Sequence, residues 1–104
     1  MAQLVSASIQ HIPLGNGASI LLSEFDGIWY RDTEGNDYWI GTIRRNFGGF
    51  YVRAELGHLV ICRAEAESES AAAFRLYEKS IEMAADNMPD LPEWMSVALR
   101  EAVR

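Results

Sequence analysis

The feature that most constrains this chain is a change of hydrophobic period near residue 64. Up to that point, short apolar-rich runs are cut at close intervals by Gly15-Asn16-Gly17, Asp26-Gly27, the polar run Asp32–Asp37, Asn46–Gly49 and Gly57-His58. That spacing belongs to an antiparallel meander, and Asp-Gly between β-forming residues is a strong short-range hairpin signal. Beyond it, Glu65, Glu67, Ser68, Glu69 and Ser70 form an acidic, hydroxyl-rich lead-in suited to a helix N-terminus. Phe74, Tyr77, Ile81, Ala84 and Met88 then recur at spacings of three and four, one apolar helical stripe. Pro89 ends it. Asp90 and Glu93, with Pro92 between them, predict a capping box and a second helix burying Leu91, Met95, Ala98 and Ala102.

Strands first and helices afterwards predict an α+β fold. The expectation is a five- to six-stranded antiparallel β-meander followed by two C-terminal α-helices packed on one face. It forms a single domain over 1–104, with strands over about 4–63 and helices over about 68–103. Residues 1–14 remain open: a strand of the sheet, an arm or a tail. A sheet covered on one side alternates apolar-in and polar-out. The alternation puts Ile28, Tyr30, Trp39, Gly41, Ile43, Phe50, Val52 and Ala54 toward the helices. It puts Trp29, Arg31, Tyr38, Ile40, Thr42, Arg44, Tyr51, Arg53 and Glu55 on the uncovered face.

Charge is unevenly placed. The net charge is −6, and nine of the fifteen acidic residues lie beyond residue 63 with only four of the nine bases. An acidic chain is repelled by nucleic-acid backbones, so direct nucleic-acid binding is not expected. No apolar run approaches the roughly 20 residues of a membrane span, and no basic-then-apolar leader opens the chain. With a single cysteine, Cys62, these features predict a cytoplasmic protein without membrane contact, internal disulfide or cysteine-rich zinc site.

Two surfaces stand out. Trp29, Arg31, Tyr38, Arg44, Tyr51 and Arg53 combine aromatic rings with guanidinium groups, the composition of interaction hot spots and of surfaces that stack single-stranded bases. The bland alternative is cross-strand pairing on a solvated sheet. Glu78, Glu82 and Asp86 stand at i, i+4 and i+8, an acidic helix face that attracts a basic partner or serves only solvation. Trp94 and Met95 are candidates for contact with a second copy, leaving monomer or homodimer open.

Signals for catalysis and cofactors are missing. His11, His58 and Cys62 are too few for a zinc site. Asp32–Asp37 has Asp37 at its sixth position and Ile43 at its twelfth, unlike a calcium-binding loop, and reads as a polar turn. Arg45-Asn46-Phe47-Gly48-Gly49-Phe50-Tyr51-Val52 looks slightly like the aromatic–glycine strand of RNA-recognition domains. The additional glycine breaks its phase, and no helix follows the first strand. The expectation is no catalytic residue, no metal and no cofactor. In overall profile the chain is similar to small phage-encoded inhibitors such as anti-CRISPR proteins: one short acidic α+β domain without a catalytic signature. That resemblance implies a non-enzymatic protein-binding module, an inhibitor or adaptor acting on a larger protein or nucleoprotein complex. The alternative is a binder of single-stranded nucleic acid or a small aromatic ligand through the open sheet face.

Overall fold

A computed structural model describes residues 8–23, 26–46, 48–56, 59–86 and 91–102. Six strands, β1 (Ser8–Pro13), β2 (Ser19–Ser23), β3 (Gly27–Arg31), β4 (Asp37–Asn46), β5 (Gly49–Leu56) and β6 (Leu59–Ala66), precede two helices, α1 (Glu69–Ala85) and α2 (Glu93–Ala102). The strands pair antiparallel in sequence order, so the sheet is a pure meander with β1 and β6 at its edges. The chain is α+β, and residues 8–13 belong to the sheet as its first strand. Methionine 88, Asp90 and His58 lie outside the described residues.

Both helices pack on one sheet face. Ile20, Leu22, Ile28, Tyr30, Ile43, Val52, Ala54 and Cys62 point into that layer and are buried with Leu76, Trp94, Met95 and Ala98 of the helices. Tyr30 is its centre: its ring stacks on Tyr77 of α1 at 6.4 Å and meets Trp94 of α2 at 6.2 Å. α1 starts where the lead-in predicts, with the Ser68 hydroxyl accepting from the Ala71 N–H at 3.2 Å. Its buried side is Ala72, Ala73, Leu76, Ser80 and Ala84, one residue around from the expected stripe. Phe74 is consequently 37% exposed, and Tyr77 and Ile81 sit at the margin. Small residues let the helix lie close to the sheet, and this outweighed the bulk of the aromatic positions.

The largest departure from strict alternation is in β4. Ile28 pairs with Gly41 and Trp29 with Trp39, so β4 carries Ile40 as an additional residue, a β-bulge. Alternation therefore changes phase between Trp39 and Gly41. After the bulge the expectation holds, with Ile43 inward and Arg44 outward. Before it the assignment is reversed: Tyr38 turns toward the helices, Ile40 is buried, and Trp39 is on the other face, 43% exposed. Gly41 allows this, because a Cβ there would lie 1.8 Å from the Arg53 carbonyl oxygen on β5. The backbones pass too closely for any side chain.

At the same end of β3, just before its first residue, Asp26 takes the left-handed turn conformation with φ of 60°. Gly27 is needed for another reason. A Cβ on it would stand 2.8 Å from the Ser23 hydroxyl and 3.2 Å from the Trp39 ring.

Trp94 and Met95 are 1% and 0% exposed within their own chain, which corrects their assignment as contacts between copies. Trp94 fills the space between α2 and Tyr30 instead. Leu91 is half-buried, and Ala102, expected inward, is exposed while Glu101 takes the buried position. Two outcomes follow in urea unfolding. Trp94→Ala is expected to cost about 3–5 kcal/mol, the range for removing a buried aromatic; a cost below about 1 kcal/mol would contradict its place in the core. Gly41→Ala is expected to destabilise by at least about 2 kcal/mol, because backbone rather than a flexible side chain must move. A neutral Gly41→Ala would show that the bulge is not under that constraint.

Candidate functional site

On the uncovered face, the register brings Trp29, Arg31, Trp39, Thr42, Arg44, Tyr51, Arg53 and Arg63 onto one side of β3–β6. Arg44 faces Tyr51, which faces Glu65; Thr42 faces Arg53, which faces Arg63. Of the residues expected here, Trp29, Arg31, Arg44, Tyr51 and Arg53 are present. Tyr38 is not, because the bulge puts it on the helical side. Trp39 replaces it and meets Trp29 edge-on at 5.4 Å. Leu21, opposite Trp29, also lies on this side and is fully buried, so packing continues around the indoles at the β2–β3 end.

The arginines are not equivalent. Arg31 makes a bidentate pair with Asp37, Nε to Oδ1 at 2.7 Å and Nη2 to Oδ2 at 2.9 Å. Asp37 is only 4% exposed, so this pair is part of the fold. Arg53 reaches Glu55 at 3.1 Å and donates to the Thr42 hydroxyl at 3.4 Å, while Thr42 donates to Glu55 at 3.2 Å. Arg44 and Arg63 are exposed and engage no carboxylate among the described residues. Among the described residues of this face, Trp39, Arg44, Tyr51, Arg63 and Glu65 remain to meet a partner.

The acidic helix face is separate. Glu78, Glu82 and Asp86 are exposed on α1, and Asp86 is its C-cap. They point away from the sheet, and the structure does not bring them to the aromatic–arginine face.

Sequence reasoning missed a polar cluster between the β3–β4 turn and α2. Glu101 is 8% exposed. One of its oxygens accepts from the Tyr30 hydroxyl, and the other accepts from the Thr33 N–H at 3.0 Å and the Thr33 hydroxyl at 2.7 Å. Asp32, 7% exposed, accepts from the Glu34 and Asn36 N–H groups, the Asn36 amide and the Tyr38 hydroxyl. The turn thus saturates its own carboxylate, which is the physical reason it is a turn and not a cation loop. Burial pushes both carboxyls up, but these donors prevail and hold Glu101 and Asp32 below their ordinary values. Burial and the bond to Glu101 raise the Tyr30 hydroxyl. A cleft of about 390 Å³ opens beside them, lined also by Val97 and Arg100. Both carboxylates are ionised and committed to fixed donors, an arrangement that holds α2 to the sheet. One signal pointed here: Tyr30 was expected inward, and a buried tyrosine hydroxyl requires a partner.

Among the described residues, no group of three or more His, Cys, Asp or Glu is placed to hold a metal ion. Cys62 is buried in the core opposite Ala54. No described helix is long and apolar enough to cross a membrane. The chain matches no family model, no curated protein and no solved structure.

Lowered carboxylate values stabilise the fold above the unfolded-state values near pH 4 and lose that contribution as pH falls through the folded-state ones. Stability should therefore decline on acidification below about pH 5. Glu101→Gln should cost about 2 kcal/mol at pH 7 and make the remaining acid transition shallower. Urea unfolding of both proteins between pH 7 and pH 3 measures this; identical pH profiles would remove Glu101 as the clamp.

Proposed function

We propose that this chain is a non-enzymatic protein-binding module, an inhibitor or adaptor that engages a larger protein or nucleoprotein complex through its open sheet face. The observation carrying this reading is the set of exposed Trp39, Arg44 and Arg63 with half-buried Tyr51 on a sheet whose other face packs against the helices. Aromatic and arginine side chains dominate binding hot spots, since each buries a large area and forms directed bonds. Here Trp39 is presented by the bulge and backed by Trp29, so its ring is ordered before a partner arrives. Preorganisation of that kind lowers the entropy lost on association.

The polar cluster at α2 supports the same reading from the other side. Its two carboxylates, both buried, have their lone pairs occupied by structural donors. With values below the usual carboxylate range they are poorly matched to proton transfer near neutral pH. The acidic face of α1 gives the module a second, oppositely charged surface, suited to long-range steering.

The test is capture of partners by the tagged full chain from a host cell extract, before and after nuclease treatment, with Trp39→Ala and Tyr51→Ala alongside. A stoichiometric protein partner that survives nuclease, bound at least about 30-fold more weakly by Trp39→Ala with unchanged circular dichroism, is the expected result. Loss of every partner on nuclease treatment would favour the nucleic-acid alternative. Unaltered affinity in both variants would remove the sheet face.

A further inference from the structure

Resting on the sheet-face reading, we infer that the partner is an acidic protein segment presenting two carboxylates about 12 Å apart, read by Arg44 and Arg63, with an apolar side chain between them over Tyr51. The argument begins with the local charge pattern. Arg53 and Arg63 stand directly opposite each other across β5 and β6. Like charges in that position destabilise a sheet. Arg53 is turned to Glu55 and Thr42, whereas Arg63 forms no ion pair among the described residues, with Glu65 two positions along the same face of β6. Arg44 stands opposite Tyr51 and likewise forms no ion pair among the described residues.

Shape supports the assignment. A shallow cleft of about 370 Å³ at the β6 edge is lined by Tyr51, Arg63, Ala64, Glu65 and Lys79. Lys79 reaches across from α1 to the Arg63 carbonyl, so a second cation stands at this site. Arg75 donates to the Glu65 carbonyl at 2.9 Å. These two contacts cap outward carbonyls of the edge strand, so the partner meets side chains here and not a free strand edge. Glu65 is the one acid in the cleft; Arg63 and Lys79 outnumber it.

The separation follows from the register. Arg44 and Arg63 are two strands apart and one pleat displaced, which places their Cα atoms about 12 Å from each other. An extended peptide covers about 13 Å in four residues, so acids at the first and fifth positions with an aromatic at the third match all three groups. Guanidinium groups bind carboxylates through two parallel bonds, which gives such a pairing direction as well as charge. A polyphosphate chain is a poorer match: the net charge of −6 repels both ligands, but a polyphosphate carries dense charge throughout, whereas the acidic segment carries two separated carboxylates and an apolar side chain suited to Tyr51.

The experiment titrates the isotope-labelled full chain with the capped peptide Glu-Gly-Phe-Gly-Glu, followed by NMR. Comparison ligands are Glu-Phe-Glu, the lysine analogue Lys-Gly-Phe-Gly-Lys and the oligonucleotide dT5. The five-residue acidic peptide should shift the Arg44 and Arg63 side-chain and Tyr51 ring signals saturably, and bind more tightly than the other three. The double variant R44A/R63A should weaken it about tenfold. Stronger shifts of the same signals by dT5 would overturn the assignment in favour of phosphate, as would the absence of shifts at millimolar peptide. A captured partner that is lost with Trp39→Ala but retains its affinity for R44A/R63A would overturn the acidic assignment alone and leave the sheet-face reading intact.

Discussion

The β4 bulge is the constraint on which both faces of this molecule depend. A strand running unbroken from Tyr38 to Arg44 with strict alternation would put Trp39 and Ile43 together in the core and expose Ile40. With Ile40 inserted, Tyr38, Ile40 and Ile43 all serve the helical side, while Trp39, Thr42 and Arg44 serve the other. One additional residue therefore moves an indole onto the open face and a phenol into the protein. The move is feasible because Gly41 lets the Arg53 carbonyl approach where a side chain would stand.

The phenol moved inward does specific work. Tyr38 donates to Asp32, so the strand after the turn is tied to the turn's own carboxylate. Thr33, in the same turn, donates twice to Glu101 of α2, and Tyr30 of β3 donates to it as well. The β3–β4 hairpin and the last helix are thereby held by charge-assisted bonds inside a mostly apolar layer, where each bond is stronger than at the surface and each unpaired group would be costly. Above them, Tyr77, Tyr30 and Trp94 make a continuous aromatic contact from α1 through the sheet to α2. The helical layer so secured covers one face, which leaves the other as the surface for a partner.

Much of this architecture was legible in the sequence, because strand spacing, turn residues and the helical lead-in are local signals. A meander of five or six antiparallel strands, the capped lead-in at Ser68 and the two helices follow from residues close together in the chain, whereas the place of residues 8–13 in the sheet does not. What was not legible depends on distant partners. Glu101 reads as one more acid on a short helix, and its donors Thr33 and Tyr30 are 68 and 71 residues away. Trp94 reads as surplus apolar area on that helix until Tyr30 is placed beside it. The exchange of Tyr38 and Trp39 depends on a bulge, which leaves no mark in the hydrophobic pattern when the residues on both sides are apolar. Phe74 carries more apolar surface than Ala73, yet the close approach of α1 to β5 and β6 selects the smaller residue for burial.

The account rests on Trp39 being outside and Tyr38 inside. The most direct measurement is a set of interproton contacts from NMR on the unmodified chain. The structure requires contacts between the Trp39 and Trp29 rings, and it places the Tyr38 ring in one cleft with Val97 and Leu99 of α2, where contacts to the helix are expected. Contacts from the Trp39 ring to α1 or α2, with Tyr38 showing none, would contradict the bulge and remove the binding face built on it.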